Sequence, residues 1–153
     1  MKISIACDHG GLNLKNAVKD HLEKSGNEVV DFGTYTADSC DYPDFAEKAA
    51  RAVACGDCQK GVVICTTGIG VSMVANKVDG VRCALCHNVD CAVMTRKHND
   101  ANVIAMGAKY VDENLAFSMV DAFLMTEFEG GRHQKRVEKL MDTEKHNPRG
   151  GNL

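Results

Sequence analysis

Residues 61–77, GVVICTTGIGVSMVANK, decide how the chain is read. The apolar run Val62-Val63-Ile64 ends on Cys65; two threonines and Gly68-Ile69-Gly70 follow, and a helical pattern takes over from Val71 to Lys77. A short apolar run closed by a glycine turn reads as a buried strand, and its handover to a helix is half of a strand–helix–strand unit. Working outward, further apolar runs stand at Ile3–Cys7, Glu28–Phe32, Val81–Cys86 and Asn102–Met106. Helical stripes separate them. Leu14, Val18 and Leu22 fall at i, i+4 and i+8, with Gly26 as a stop. Phe45, Ala49, Ala52 and Val53 follow Pro43, which suits a first helical turn. Val89, Ala92 and Val93 mark a short helix, Leu115, Met119, Ala122 and Phe123 another, and Val137, Leu140 and Met141 a last one over 132–143.

Five such alternations predict an α/β chain, a three-layer α/β/α sandwich around a five-stranded parallel, Rossmann-like sheet. At 153 residues and 44% hydrophobic, the chain suits one domain over 1–145, with 146–153 as a C-terminal tail. A net charge of −3 argues against nucleic acid or an anionic membrane as partner. No apolar stretch approaches the ~20 residues needed to span a bilayer, and MKISIACDHGG lacks the apolar region of a signal peptide. The expected setting is therefore the cytoplasm. Eight cysteines there stay reduced.

Two cysteine patterns invite other readings. Cys55-x-x-Cys58 and Cys83-x-x-Cys86 outline a structural zinc site, and Cys83-x-x-Cys86-His87 matches a haem-attachment pattern. Cys83 and Cys86 fall within a predicted strand, where i and i+3 side chains point to opposite faces and cannot share a metal. Both cysteines are read as small core residues.

In open α/β sheets, ligands bind beyond the carboxyl ends of strands, where strand order reverses. The loop after the first strand is Cys7-Asp8-His9-Gly10-Gly11, and the loop after the third is Cys65-Thr66-Thr67-Gly68-Ile69-Gly70. If those strands are neighbours, an acid, an imidazole, a thiol and two glycine turns converge. Amides at a helix start hold an anion or a developing oxyanion, and the same field favours the thiolate of a nearby cysteine. Cys65 there reads either as a base or nucleophile or as a residue that fills core space beside a glycine turn. GxGxxG is broken at Met73 and no P-loop occurs, so nucleotide binding is disfavoured. His98-Asn99-Asp100 precedes the fifth strand and belongs at the opposite end of the sheet, so it can reach the crevice only from a second copy. Arg132 and Arg136, at i and i+4, share a helix face that suits a phosphate or is simply an exposed basic face.

Taken together, CDHGG (7–11), DYPDFA (41–46), ICTTGIG (64–70), ANK (75–77), RKHNDANV (96–103) and EGGRHQKRV (129–137) resemble the ribose-5-phosphate isomerase B family of sugar-phosphate isomerases. The resemblance runs from Ile3 to about Leu140. It implies a homodimer, sometimes further paired, with sites between subunits and no metal or organic cofactor. It implies Cys65 as the base that moves a proton between C1 and C2 of the sugar, and the amides of residues 66–70 as stabilisers of a cis-enediolate. Thr67 and His98 would assist ring opening, with Asp8 and Asn99 on sugar hydroxyls and His9, Arg132 and Arg136 on phosphate. Two positions depart from the family's usual pattern. Thr66 stands where glycine is common, which bears on substrate length. Lys109 stands where arginine is common, keeping the charge without the bidentate fork. Because Cys65 and His98-Asn99 are all present, the resemblance favours a self-sufficient homo-oligomer acting on ribose 5-phosphate and ribulose 5-phosphate. The rivals are isomerisation of allose 6-phosphate, galactose 6-phosphate or a tetrose phosphate, and a non-enzymatic α/β binding module.

Overall fold

The computed structural model describes residues 1–145; the expected tail, 146–153, lies outside the described residues. Five strands, β1 (Lys2–Cys7), β2 (Glu28–Asp31), β3 (Lys60–Cys65), β4 (Cys83–Leu85) and β5 (Val103–Gly107), form one sheet in the order β2-β1-β3-β5-β4. Every pairing is parallel. Six α-helices connect and flank them: α1 (Leu12–Lys24), α2 (Pro43–Ala54), α3 (Ile69–Ala75), α4 (Val89–Asn99), α5 (Glu113–Met125) and α6 (Arg132–Lys145). A 3₁₀ turn, His9–Gly11, precedes α1.

The period-two alternation of side chains along each strand sorts the core into two halves. Ile3, Ile5 and Cys7 of β1, Val62 and Ile64 of β3, and Ile104 and Met106 of β5 pack under α1, α4 and α5. Ala6, Val63, Cys65, Val103 and Ala105 face the other way, under α2 and α3. The alanines of α2 (Ala46, Ala49, Ala50 and Ala52) are small enough to bring that helix close to the sheet. The three-layer sandwich predicted from the alternation is the fold observed.

β4 is shorter than the predicted 81–86. Arg82 already turns away, its amide donating to the Asn102 side chain at 2.8 Å. β4 is also an edge strand. The outward N–H and C=O of Cys83 are both taken by the side-chain amide of Asn76, each at 2.8 Å. As the strand pattern required, Cys83 and Cys86 belong to opposite halves of the core. Among the described residues the cysteines join no group of metal-ligating side chains, and all eight are free thiols. Burial pushes the thiols of Cys7 and Cys86 up to about 12, and those of Cys58 and Cys83 upward as well. No described helix is long and apolar enough to cross a membrane.

One charged side chain runs through the core. Lys15 is 1% exposed, yet it stands beside the apolar stripe of α1. Its Nζ donates to Asp31 Oδ2 at 2.7 Å and to the Thr34 carbonyl at 3.0 Å, and lies 5.1 Å above the Tyr35 ring. It thereby ties the chain leaving β2 to α1.

Candidate active site

The sequence order of the strands reverses between β1 and β3, which are neighbours, and their carboxyl ends form one shallow crevice. Cys65 ends β3, is 5% exposed, and points to the α2/α3 side. Its Sγ accepts a hydrogen bond from the Gly68 amide at 3.0 Å. Gly68 is left-handed, with φ 77°, and a Cβ there would stand 2.7 Å from the backbone of Met106, so only glycine makes this turn. The Ile69 amide donates to Thr67 Oγ1 at 3.4 Å. The amides of Gly70 and Val71, in the first turn of α3, have no partner within the helix. Tyr42 covers Gly70, where an added Cβ would come 2.6 Å from the ring.

Asp8 follows β1 directly, beside this loop. Its amide donates to the Ile64 carbonyl at 3.3 Å, and Oδ1 caps the 3₁₀ turn by accepting from Gly11 at 3.1 Å. His9 is exposed, and its Nδ1 accepts the Cys40 amide at 3.2 Å. That bond leaves the neutral ring's proton on Nε2, which can donate outward. Thr66 packs its side chain over Gly10 and so bridges the two loops. Lys109 donates its amide to the Thr66 carbonyl at 2.9 Å and extends its Nζ 5.9 Å from the Tyr110 ring centroid. The crevice therefore gathers Asp8, His9, Cys65, Thr66, Thr67, Gly68, Ile69, Gly70 and Lys109.

His98, Asn99, Arg132 and Arg136 lie at the other end of the sheet. The turn after α4 is held from two sides. Arg96 bonds Asp100 Oδ1 at 2.7 Å and Arg82 reaches Oδ2 at 3.2 Å, while Asp100 itself is left-handed with φ 45°. His98 and Asn99 then border a cleft of about 290 Å³ with His133, Arg136, Val137 and Leu140. On α6, Val137 and His133 turn inward, whereas Arg132 and Arg136 are exposed. Among the described residues neither arginine forms an ion pair; Glu129 instead faces Lys97, His98 and His133. Burial, then the nearby His98, Arg132 and Arg136, hold His133 below the usual imidazole range against the pull of Glu129. β5, five residues long, separates the two groups by roughly 16 Å. The candidate residues thus form two groups, one at each end of the same sheet.

The model of the Ribose/Galactose Isomerase family matches residues 3–140. The chain belongs to the Ribose/Galactose Isomerase family. Ribose-5-phosphate isomerase B of Escherichia coli (strain K12) is 45% identical over 139 residues, covering 91% of this chain and 93% of that one. Among solved structures, Clostridium thermocellum ribose-5-phosphate isomerase B superposes with a TM-score of 0.94 at 53% identity, over 95% and 99% of the two chains. The Mycoplasma genitalium enzyme with bound ribulose-5-phosphate gives 0.91 at 42%, over 95% and 97%. The family resemblance drawn from six motifs is the family that the comparisons return.

Sequence reading missed several residues that shape these two groups. Cys40 comes from the loop after β2, where no periodicity marks it, and Tyr42 sits in the quoted motif DYPDFA without a role assigned. Glu129 and His133 sit in the quoted motif EGGRHQKRV without a role assigned. Lys15 was signalled only by its spacing of three and seven from Val18 and Leu22, a lysine on an apolar stripe.

Proposed function

We propose that this chain interconverts D-ribose 5-phosphate and D-ribulose 5-phosphate, with Cys65 carrying the proton between C2 and C1. The observation that carries the reading is the Cys65 sulfur at the strand end, under the Gly68 amide, with the Asp8 amide on the carbonyl of the preceding residue, Ile64. In this reading Cys65 as thiolate removes the C2 proton of the open-chain aldose, giving a cis-enediolate and a thiol. The amides of residues 66–70 take up the developing oxygen charge. The thiol returns the proton to C1, one hydroxyl proton passes to the other oxygen, and the ketose results with no external oxidant. Thr67 and His98 serve ring opening, Asp8 and Asn99 hold hydroxyls, and His9 Nε2–H, Arg132 and Arg136 grip the phosphate. Lys109 adds positive charge at the rim.

A full site then needs two chains. The half-sites face away from each other within one chain, so a two-fold pair sets the Cys65 crevice of one copy against the Arg132/Arg136 face of the other. Ile69 (45% exposed), Met73 (63%) and Tyr42 (39%) border the crevice and supply apolar surface for that pairing. A homodimer, alone or paired again, working as one catalytic domain in the cytoplasm, fits these features.

The test is deuterium washout with both pentose phosphates. Wild-type protein exchanges the C1/C2 hydrogen with solvent; Cys65→Ala abolishes exchange while sugar phosphate still binds by calorimetry. Near-normal turnover in Cys65→Ala overturns the base assignment.

A further inference from the structure

Two imidazoles lie face to face at the end of the sheet away from Cys65. The rings of His98, in the last turn of α4, and His133, in the first turn of α6, have centroids 4.2 Å apart and planes within 10° of parallel. The partners are unequal. The side chain of His133 is 8% exposed and that of His98 34%, so an anchored ring backs a freer one. Glu129 Oε2 stands 3.8 Å from His98 Nε2 and 3.7 Å from His133 Nε2, beyond hydrogen-bond reach of both. The flat contact with His133, rather than a hydrogen bond to Glu129, therefore sets the plane of the His98 ring.

His133 is held from behind. Gly130 and Gly131 take left-handed conformations (φ 63° and 54°) to start α6, and the His133 amide donates to the Gly130 carbonyl at 3.0 Å. Val137, one turn on, is buried as well, so both residues point inward from the same face of the helix. The Glu129 amide donates to the Lys97 carbonyl at 3.1 Å and fastens the connector to α4. On the α4 side, Arg82 and Arg96 bond Asp100 and fix the backbone just after His98. What remains to His98 is rotation of its ring about the Cβ–Cγ bond, a broad torsion in histidine, and the His133 ring restricts it. Burial, then His98, Arg132 and Arg136, favour the neutral form of His133, so the backing ring is an uncharged plate.

We propose that His133 is a positioning residue, whose ring orients the His98 imidazole for opening the ribose 5-phosphate ring and takes no part in proton transfer between C2 and C1. The consequence for turnover rests on the proposed role of His98; the stacked pair itself does not. Ring opening breaks the C1–O4 bond, places a proton on O4 and takes one from the C1 hydroxyl, so the proton count is unchanged. An imidazole gives and accepts protons in its own plane, and the tilt of that plane decides whether a proton reaches a sugar oxygen. Ribulose 5-phosphate has its carbonyl at C2 and its C5 oxygen esterified, so it closes no five-membered ring. Its C1 hydrogen can exchange through Cys65 without any ring chemistry. The two pentose phosphates therefore separate the step that needs His98 from the step that needs Cys65.

The test compares His133→Ala with His133→Phe, which keeps a flat, uncharged ring and loses both nitrogens. Two rates are read: conversion of ribose 5-phosphate, and uptake of solvent deuterium at C1 of ribulose 5-phosphate. For His133→Ala the expected result is a roughly tenfold loss of kcat/KM on ribose 5-phosphate, about 1.4 kcal/mol and near the upper worth of an aromatic pair, with C1 exchange within about threefold of wild type. His133→Phe returns the conversion to within about threefold of wild type, because the plate is restored. His133→Leu, apolar and without a flat face, takes the place of the alanine variant if that one does not fold. Equal losses on the two readouts, unchanged conversion in His133→Ala, or a phenylalanine variant no better than alanine overturns the proposal. Independently of turnover, the His98 ring protons, assigned by their loss in His98→Asn, should resonate upfield of a free imidazole and move downfield in His133→Ala but not in His133→Phe. Protons that stay in place in His133→Ala overturn the stacked contact. Wild-type protein that neither converts ribose 5-phosphate nor exchanges ribulose 5-phosphate sinks the isomerase reading instead, and the ring protons still decide the pair.

Discussion

Replacing Lys15 by methionine keeps the length of the side chain and deletes its charge. Asp31 then loses a 2.7 Å ion pair, the Thr34 carbonyl a 3.0 Å donor, and Tyr35 the cation over its ring. Removing one partner of a buried pair costs ~3–5 kcal/mol because the other charge stays behind. Asp31 is 14% exposed at its side chain and keeps the Gly33 amide at 2.9 Å, which puts the expected loss near the lower figure, about 3 kcal/mol. With a urea slope of about 2 kcal/mol per molar, the midpoint falls by about 1.5 M at fixed protein concentration. Lys15→Met/Asp31→Asn removes both charges and recovers at least half of that loss. The effect also reaches the crevice. The loop after β2 that Lys15 anchors leads to the Cys40 amide on His9 and to Tyr42 over Gly70. KM for a phosphorylated sugar should therefore rise more than kcat falls. A Lys15→Met midpoint within 0.5 M of wild type, or a double variant no better than the single, refutes the reasoning.

Three further outcomes follow from the same geometry. Thr66→Gly uncovers Gly10 and widens the crevice, so the kcat/KM ratio of allose 6-phosphate to ribose 5-phosphate should rise by roughly tenfold, the value of about one methylene of fit; an unchanged ratio removes Thr66 from substrate choice. Mixing unfolded Cys65→Ala and Arg136→Ala chains and refolding them together should recover about one quarter of wild-type turnover, because half of the random dimers carry one undamaged site; no recovery argues that each chain builds its site alone. The raised thiols of Cys7 and Cys86 stay protonated in the fold while the unfolded chain ionises above about pH 9. The unfolded state then binds fewer protons, so stability is present below that pH and falls as pH rises towards 12. Each thiol steepens the fall by about 1.4 kcal/mol per pH unit, and urea midpoints from pH 8.5 to 10 should show a shallower slope for Cys86→Ala than for wild type.

The fold was readable because each signal was short-range. Val62-Val63-Ile64 before a glycine turn, and the i/i+4 stripes of Leu14-Val18-Leu22 and Leu115-Met119, are consequences of local periodicity. The neighbourhood of Asp8 and Cys65 needed one further assumption, that β1 and β3 are adjacent, and the sheet order meets it. The position of β5 between β3 and β4 left no trace in the sequence, since strand order is set by which helices pack together. The contacts that shape the half-sites are equally long-range. Cys40 reaches His9 across 31 residues, past α1 and β2, and His133 meets His98 across 35, past β5 and α5, so no local pattern hints at either. Thr66 announced itself as a departure from the family pattern, yet its seat over Gly10 required both loops in space.

Asn76 stands where a sixth strand would begin. Its amide answers the free border of β4 with the same donor and acceptor that a neighbouring backbone would offer, so a foreign strand meets an occupied berth. On this side of the sheet, growth from one molecule to the next is checked at Cys83 by a side chain at a helix end. Its loss would turn an enclosed border into a template for filaments.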